Sequence, residues 1–370
     1  MNHPPHVAIV AASLDILGGQ GVQARALVEA LRGDGQQVMF VPINPRFPRP
    51  FGGLRRIRGV RTLVNQSLYL PGLARLAAVD VAHVFSASYA SFLLAPLPAM
   101  AMARALNKHV VLHYHSGEAD DHLANWGALV HPWLRLAHHI VVPSEYLREV
   151  FGRYGHTAHV IPNVVDLSRF AYRARRPLRP HLLSTRNLEP HYRVDVIIQA
   201  YAQLKPRVPE ATLTIAGYGS EEPRLRLLVR SAGLTDVRFI GRVEPEDMPR
   251  VYDDADIFLN ASVVDNQPVS ILEAFAAGLP VVSTPTGDIG ALVRHHDTGL
   301  LVPPFDPGAI AHAVEWLLAH PDRASDFAQR AHASTARYTW PAVREAWAAM
   351  YRPLTHDAIV DSWLSNRHSH

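Results

Sequence analysis

The sequence predicts an α/β protein of two doubly wound, Rossmann-like domains facing each other across a cleft. Three observations carry that expectation. Short apolar runs alternate with stretches at helical spacing along most of the chain, the pattern of repeated β/α units on parallel sheets. The 370 residues are too many for one ordinary core and suit two domains of roughly 150–200 residues each. A basic, proline-containing break, Ser168 to Pro180 (SRFAYRARRPLRP), separates one series from the next and reads as a linker. The expected division is therefore 1–170 and 171–347, with a C-terminal helix near 348–368 packing back on the first domain.

In the first half, His6–Ala12 is a continuous apolar run suited to a central parallel strand. The glycine loop DILGGQG follows, then the amphipathic helix VQARALVEALR and a second strand, VMFVPI. Gly18 and Gly19 would let backbone approach a ligand at a helix N-terminus, although the pair is not a GxGxxG fingerprint. DVAHVFS (80–86) and HVVLHYH (109–115) read as strands with a helix between them that begins after the prolines of SFLLAPLPAMAMARAL. HIVVPSEYLREVF gives strand, Ser144 and helix, and HVIPNVVDLSRF gives a strand ending at Pro162 and Asn163. In the second half HLLSTR, ATLTIAGYG, VRFIGRV and ADIFLNAS are strands, with helices VDVIIQAYAQL, EPRLRLLVRSAG and MPRVYDDA between them. TGLLVPP, IAHAVEWLLAH and a helical run to Leu364 complete the chain.

Composition removes several functional classes. A formal charge of +3 is too small to point to nucleic acid. With no cysteine there is no disulfide scaffold, thiol nucleophile or cysteine-held metal, and a cytoplasmic protein is the simplest fit. The N-terminal residues lack the pattern of a signal peptide, and no apolar run is long enough to span a bilayer. One stretch is unusual. From Gln36 to Val79 there is no acidic residue, while Arg46, Arg49, Arg55, Arg56, Arg58, Arg61 and Arg75 are interleaved with apolar side chains. This is either a surface for peripheral contact with an anionic membrane, through Arg46–Arg61, or a solvated arginine-rich connection.

The most informative stretch is Asp265–Val282, DNQPVSILEAFAAGLPVV. Its polar opening leads to Pro268, which favours the first turn of a helix; Ile271, Leu272, Phe275 and Ala276 then recur at helical spacing. Gly278 stops that helix, and LPVVST reads as a buried strand. A helix N-terminus with free amides suits a phosphate or pyrophosphate, although an ordinary α/β helix with an acidic first turn would look the same. His113, His115, Asp120, Asp121 and His122 also lie close together in sequence. Their spacing matches no zinc pattern, so a loop histidine that contacts substrate is preferred to a metal site. Gly18–Gly19, His115, Ser144, Asn163, Arg186, Gly217 and Asp265 all fall beyond strand ends, where open α/β sheets bind ligands.

With GGQGVQARALVEAL, YHSGEA, VVPSEYLREVF, VIPNVVDLSRF, STRNLEP, LTIAGYGSEEPRL, VRFIGRV, DNQPVSILEAFAAGLPVVSTPTGDIGALV and DTGLLVPPFDP in that order, the chain resembles family 4 retaining glycosyltransferases of the GT-B fold over roughly residues 6–350. The resemblance implies transfer of a hexose from a UDP- or GDP-linked sugar to an acceptor hydroxyl on a glycan, a lipid-linked or a small molecule. No cofactor or metal is implied, and the alternatives are a non-catalytic nucleotide-sugar-binding protein or a GT-B sugar-nucleotide epimerase. It implies that Arg186 meets the diphosphate, Asp265 (first acid of an E-x7-E pattern) the sugar, and His115 the transferred sugar, these three being the catalytic candidates. Glu273 would accept from ribose hydroxyls, while backbone from Asn266, Gln267, Pro268, Val269, Ser270 and Ile271 would contact sugar and β-phosphate. Gly217, Arg242 and Val243 would lie near the base, and Gly18 and Gly19 near the phosphates or acceptor. Three positions depart from the family pattern. Asp265 replaces a glutamate, Val164 replaces a glycine, and Tyr192 stands near the usual lysine, leaving Arg193 as the substitute cation.

Overall fold

The structure is a computed structural model and describes residues 4–13, 19–45, 59–86 and 88–352. Within them the chain forms two compact units. The first is drawn from Met1–His115, His122–Val141 and Val343–His370, the second from Ser116–Asp121 and Val142–Ala342. Strands β1 (Val7–Ala11), β2 (Val38–Pro42), β3 (Val81–Ser86), β4 (His109–Tyr114), β5 (His139–Val142) and β6 (His159–Val160) form a sheet of order β2-β1-β3-β4-β5-β6. Strands β7 (His181–Ser184), β8 (Thr212–Ala216), β9 (Val237–Gly241), β10 (Ile257–Asn260), β11 (Val281–Ser283) and β12 (Leu300–Leu301) form a second, of order β12-β11-β10-β7-β8-β9. Both are parallel, which explains why the strands read as continuous apolar runs: helices cover both faces.

The second sheet shows this two-sided packing in its alternation. Leu182, Leu213, Ile257, Leu259 and Val282 face one core with Ile197, Ile198 and Tyr201 of the helix Val194–Leu204. Leu183, Phe258 and Val281 face the other, with Ile271, Leu272 and Phe275 of the helix Val269–Ala277. Those three helix side chains are fully buried, each contributing about 1.5–3 kcal/mol of transfer free energy. The chain order reverses between β7 and β10, which pair directly through Leu182–Ile257 and Leu183–Phe258. That reversal is the switch point at which such sheets open a crevice beyond their strand ends.

Several elements differ from the sequence reading. The first helix starts at Gly19 rather than after the glycine loop, so Gly19 lies in its first turn, and Gly18 lies outside the described residues. The helix expected after the prolines of 96–98 begins at Pro96 itself, proline being tolerated at a first turn. The acid-free stretch contains an unforeseen helix, Val60–Gly72, continued by a 3₁₀ segment, Leu73–Ala78. Of the arginines proposed for membrane contact, Arg46, Arg49, Arg55, Arg56 and Arg58 lie outside the described residues, and Arg61 is exposed on that helix. The last described helix is Trp340–Met350, with Trp347 and Tyr351 buried in the first unit; residues 353–370 are outside the described set, with most of the run expected to reach Leu364.

The basic stretch 168–180 is not a loose connection. Asp256, at the start of β10, is fully buried and accepts from Arg173 at 3.0 Å and from Arg179 at 2.6 Å. Arg175, also buried, donates to the carbonyls of Tyr252, Ala255 and Ala277. Charge was visible in the sequence; the single buried acceptor that gathers it, about eighty residues away, was not. The two arginine contacts hold the Asp256 carboxyl below its ordinary 3.8 against the opposing cost of burial. Its stabilising contribution is therefore present at neutral pH and lost as pH falls below that range. Asp256→Ala should cost about 3 kcal/mol by denaturant unfolding at pH 7, and the cost should shrink as pH falls from 3.8 through the depressed folded-state pKa; a loss that stays constant down the whole acid limb would contradict this.

Candidate functional site

At the switch point the chain leaves β7 through Ser184 and Thr185 to Arg186, and leaves β10 towards Asp265. Both side chains are nearly buried, at 9% and 12% exposure, and they form an ion pair from Arg186 Nη2 to Asp265 Oδ2 at 2.5 Å. Arg186 Nη1 donates to Ser270 Oγ at 2.9 Å, in the first turn of the helix Val269–Ala277. Its Nε is buried without a partner among the described residues. The guanidinium also lies 4.2 Å from the centre of the Tyr192 ring. Arg186 is thus held on three sides, with a donor to spare.

Backbone fit at this point requires glycine. Gly217, just beyond β8, has φ +152, and a Cβ there would lie 2.1 Å from the Arg186 carbonyl oxygen. Gly287 has φ +57, and a Cβ there would lie 2.2 Å from the Asp265 carbonyl oxygen. The two residues of the ion pair are therefore each seated by a close backbone contact.

The helix Val269–Ala277 begins after Pro268, whose extended φ of −70 and ψ of 120 make it the N-cap with no side-chain capping bond. The polar residues before it turn elsewhere. Asn266 Oδ1 accepts from Ser144 Oγ at 2.5 Å, Gln267 Oε1 accepts from the Asn163 amide at 2.9 Å, and Gln267 Nε2 donates to the Pro143 carbonyl at 3.0 Å. These side chains fix the loop; the Ile271 amide bonds to the Pro268 carbonyl at 3.1 Å, which leaves the amides of Val269 and Ser270 as the feature that suits an anion.

Glu273 is three residues after Ser270 and so on the same helix face. Its Oε2 accepts from the Tyr252 hydroxyl at 2.8 Å, and burial pushes its pKa from 4.5 up to about 7. Arg193, expected as a substitute cation, is engaged with Asp195 at 3.0 Å and lies 4.9 Å from the Phe305 ring centre. It adopts φ 50 as the N-cap of the following helix. Tyr192, at the position where a lysine is usual, supplies a ring face instead of a charge. Arg242 stands one residue beyond Gly241, whose carbonyl accepts from the Gly217 amide at 2.8 Å, and it bonds to Glu244 at 2.9 Å. Val243 is half-buried beside it. Sequence reasoning did not single out Thr185, Tyr252 and Gly287, which bear no charge; Thr185 and Gly287 stand inside the quoted stretches STRNLEP and DNQPVSILEAFAAGLPVVSTPTGDIGALV, but what they touch required the fold.

His115 lies in the first unit, stacked on Phe85 with ring centres 5.3 Å apart and 4.0 Å from His113. His113 Nδ1 is 3.1 Å from His83 Nε2, and His83 Nδ1 is 2.8 Å from the Tyr351 hydroxyl. Burial depresses His83 and His115 to about 3, so both are neutral at pH 7. His122 is on the other side of β4, with its Nδ1 2.8 Å from the Tyr114 hydroxyl, while Asp120 accepts from Tyr154 at 3.0 Å. The acidic and histidine run 113–122 is therefore divided, and among the described residues no group of three His, Cys, Asp or Glu could hold a metal.

Two family models divide the sequence between them. Residues 17–169 match Glycosyltransferase Family 4, and residues 172–334 match Glycosyl transferases group 1. The chain belongs to this glycosyltransferase family. It is 34% identical over 227 residues to D-inositol 3-phosphate glycosyltransferase 2 of Catenulispora acidiphila, covering 56% of this chain and 53% of that protein. It is 31% identical over 271 residues to glycogen synthase of Mycobacterium tuberculosis, covering 69% of this chain and 65% of that one. The chain thus spans about half to two thirds of these curated relatives. Among solved structures, Anabaena HepE in complex with UDP and glucose superposes with TM-score 0.73 at 18% identity, covering 95% of this chain and all of that one. Sucrose-phosphate synthase from Thermosynechococcus elongatus gives TM-score 0.74 at 22% identity, with 94% and 98% covered. The fold shared with these is GT-B.

The raised pKa of Glu273 has a consequence for stability. Folding favours its protonated form, so that stabilisation is full below about 4.5 and is lost as pH rises to about 7. Glu273→Gln should be more stable than the parent above pH 7 by about 1–3 kcal/mol and equal to it near pH 4. A difference independent of pH, measured by denaturant titration, would contradict the assignment.

Proposed function

We propose that the chain is a retaining, metal-independent glycosyltransferase that moves a hexose from a UDP- or GDP-linked sugar to an acceptor hydroxyl on a glycan, lipid-linked or small molecule. The observation that supports this most is the position of Arg186. It stands at the switch point, bonded to Ser270 at the start of a helix whose first turn no side chain caps. The difficult step is departure of a nucleoside diphosphate as negative charge develops on its β-phosphate. A planar guanidinium with one unused N–H, together with helix amides, meets that charge with no reorganisation cost at the moment of reaction.

In this reading Asp265 holds Arg186 in place until the donor arrives. The phosphate then takes over the guanidinium, and the Asp265 carboxylate is released towards the hydroxyls of the sugar. Glu273 accepts from the ribose, and neutral His115 offers one ring N–H or one lone pair to the transferred sugar. Gly217, Arg242 and Val243 border the base. The leaving phosphate assists attack of the acceptor from the same face, which gives retention. A second reading, a nucleotide-sugar binder without catalysis, is favoured by one observation: Arg193 is engaged with Asp195, leaving one cation fewer than the family pattern supplies.

Arg186→Ala should lose about 2–4 kcal/mol of transition-state stabilisation, read from kcat/KM with whichever donor a screen of nucleotide sugars identifies. Arg186→Lys should recover only part of it, because the planar fork is lost. Turnover should survive EDTA. Unchanged turnover in the alanine variant would remove Arg186 from the mechanism. Donor binding by the parent with neither hydrolysis nor transfer would establish the binder instead.

A further inference from the structure

Tyr252 is a fully buried tyrosine on the short helix Met248–Asp253, and nothing in the proposed reaction uses it. Its hydroxyl is nonetheless in contact with three polar groups. It is 2.7 Å from Thr185 Oγ1, 3.1 Å from the Ser270 carbonyl and 2.8 Å from Glu273 Oε2. Thr185 precedes Arg186, and Ser270 is the residue whose side chain accepts from Arg186. One phenol therefore bonds next to both residues that seat the arginine and to the carboxylate on the same helix face.

A phenol has a single proton to give. Above about pH 7, where Glu273 is ionised, the strongest available acceptor is its carboxylate, because a charge-assisted bond outweighs one to a neutral carbonyl. With that proton on Glu273, the Thr185 hydroxyl becomes the donor to the phenol oxygen. The chain Thr185→Tyr252→Glu273 then runs in one direction and ends on Oε2, leaving Oε1 free of the phenol. The rings of Phe170 and Phe258 pack against Tyr252, with centres 5.5 Å and 5.9 Å away, so the phenol cannot swing. Around Glu273 the other charged groups are Arg169, from the segment Leu167–Arg169, and Arg186. Neither is hydrogen-bonded to its carboxylate among the described residues, so Tyr252 alone fixes its rotation.

We propose that Tyr252 is a positioning residue for nucleoside recognition: it locks the Glu273 carboxylate by one oxygen so that the other accepts from the hydroxyls of a ribose. This rests on the donor-site reading given above. It makes that site selective for ribose over sugars lacking the 2′ and 3′ hydroxyls, through a residue that does not touch the ligand.

The experiment is a titration of the whole chain with UDP and with GDP by calorimetry at a pH above 7, where Glu273 is ionised, continued with the tighter of the two and its 2′,3′-dideoxy counterpart. The parent should prefer the ribose form. Tyr252→Phe, which removes one oxygen and keeps the ring, should weaken the ribose form about tenfold and leave the dideoxy form within about twofold. Thr185→Val should act in the same direction but less, and it carries the test alone if the phenylalanine variant does not fold. Equal weakening of both ligands, or of neither, would overturn the proposal by leaving Tyr252 a purely structural role. Parent protein with no preference between the two forms would overturn it also. Parent protein that binds neither UDP nor GDP would instead remove the donor-site reading on which it rests.

Discussion

The ion pair between Arg186 and Asp265 is the constraint on which the second unit's site depends. Both charges are nearly out of water, where an unpaired guanidinium would be costly, so each is the condition for the other's burial. Seventy-nine residues separate them, and they meet only because β7 and β10 are neighbours in the sheet. The glycines at 217 and 287 add the remaining requirement, since a methyl group at either would displace the carbonyl of one partner. Strand order, backbone clearance and charge pairing thus converge on one guanidinium at the head of one helix.

The energetics of that helix explain how it can be left uncapped. Ile271, Leu272 and Phe275 anchor it in the core, and Gly278 ends it in the left-handed conformation with φ 79. Packing at the C-terminal part makes a capping side chain unnecessary for stability; the Ile271 amide closes on the Pro268 carbonyl at 3.1 Å, and those of Val269 and Ser270 remain for another use. Glu273 shows the cost of such an arrangement. Its carboxyl is buried enough to raise its pKa to about 7, a penalty that a purely structural glutamine would not carry. Asp256, by contrast, is buried with arginines around it and is held below its ordinary value. The two acids differ in whether a cation bonds directly to the carboxylate, and only the second arrangement serves folding alone.

How much of this was legible in the sequence follows from what kind of information each feature needs. Periodicity and apolar runs were enough for the strand–helix alternation, because a parallel sheet imposes its burial pattern residue by residue. The stretch 265–282 was legible down to its turn, since proline and glycine mark helix ends by local sterics. The direction of a side chain beyond a strand was not. Arg193 and Arg186 are both arginines in one short loop, yet one pairs with Asp195 while the other bonds to Ser270. Tyr192 was noted as a missing cation, and its use as a ring against Arg186 required the fold. The histidines of 113–122 were grouped by sequence proximity, whereas alternation along β4 separates His113 and His115 from the side where Tyr114 meets His122.

The measurement that bears most directly on the central claim is a crystal structure of the chain with UDP or GDP bound. The account predicts the β-phosphate within hydrogen-bond distance of the Arg186 guanidinium and of the amides of Val269 and Ser270, with the Arg186–Asp265 ion pair opened. A diphosphate seated elsewhere, with that ion pair intact beside it, would contradict the account.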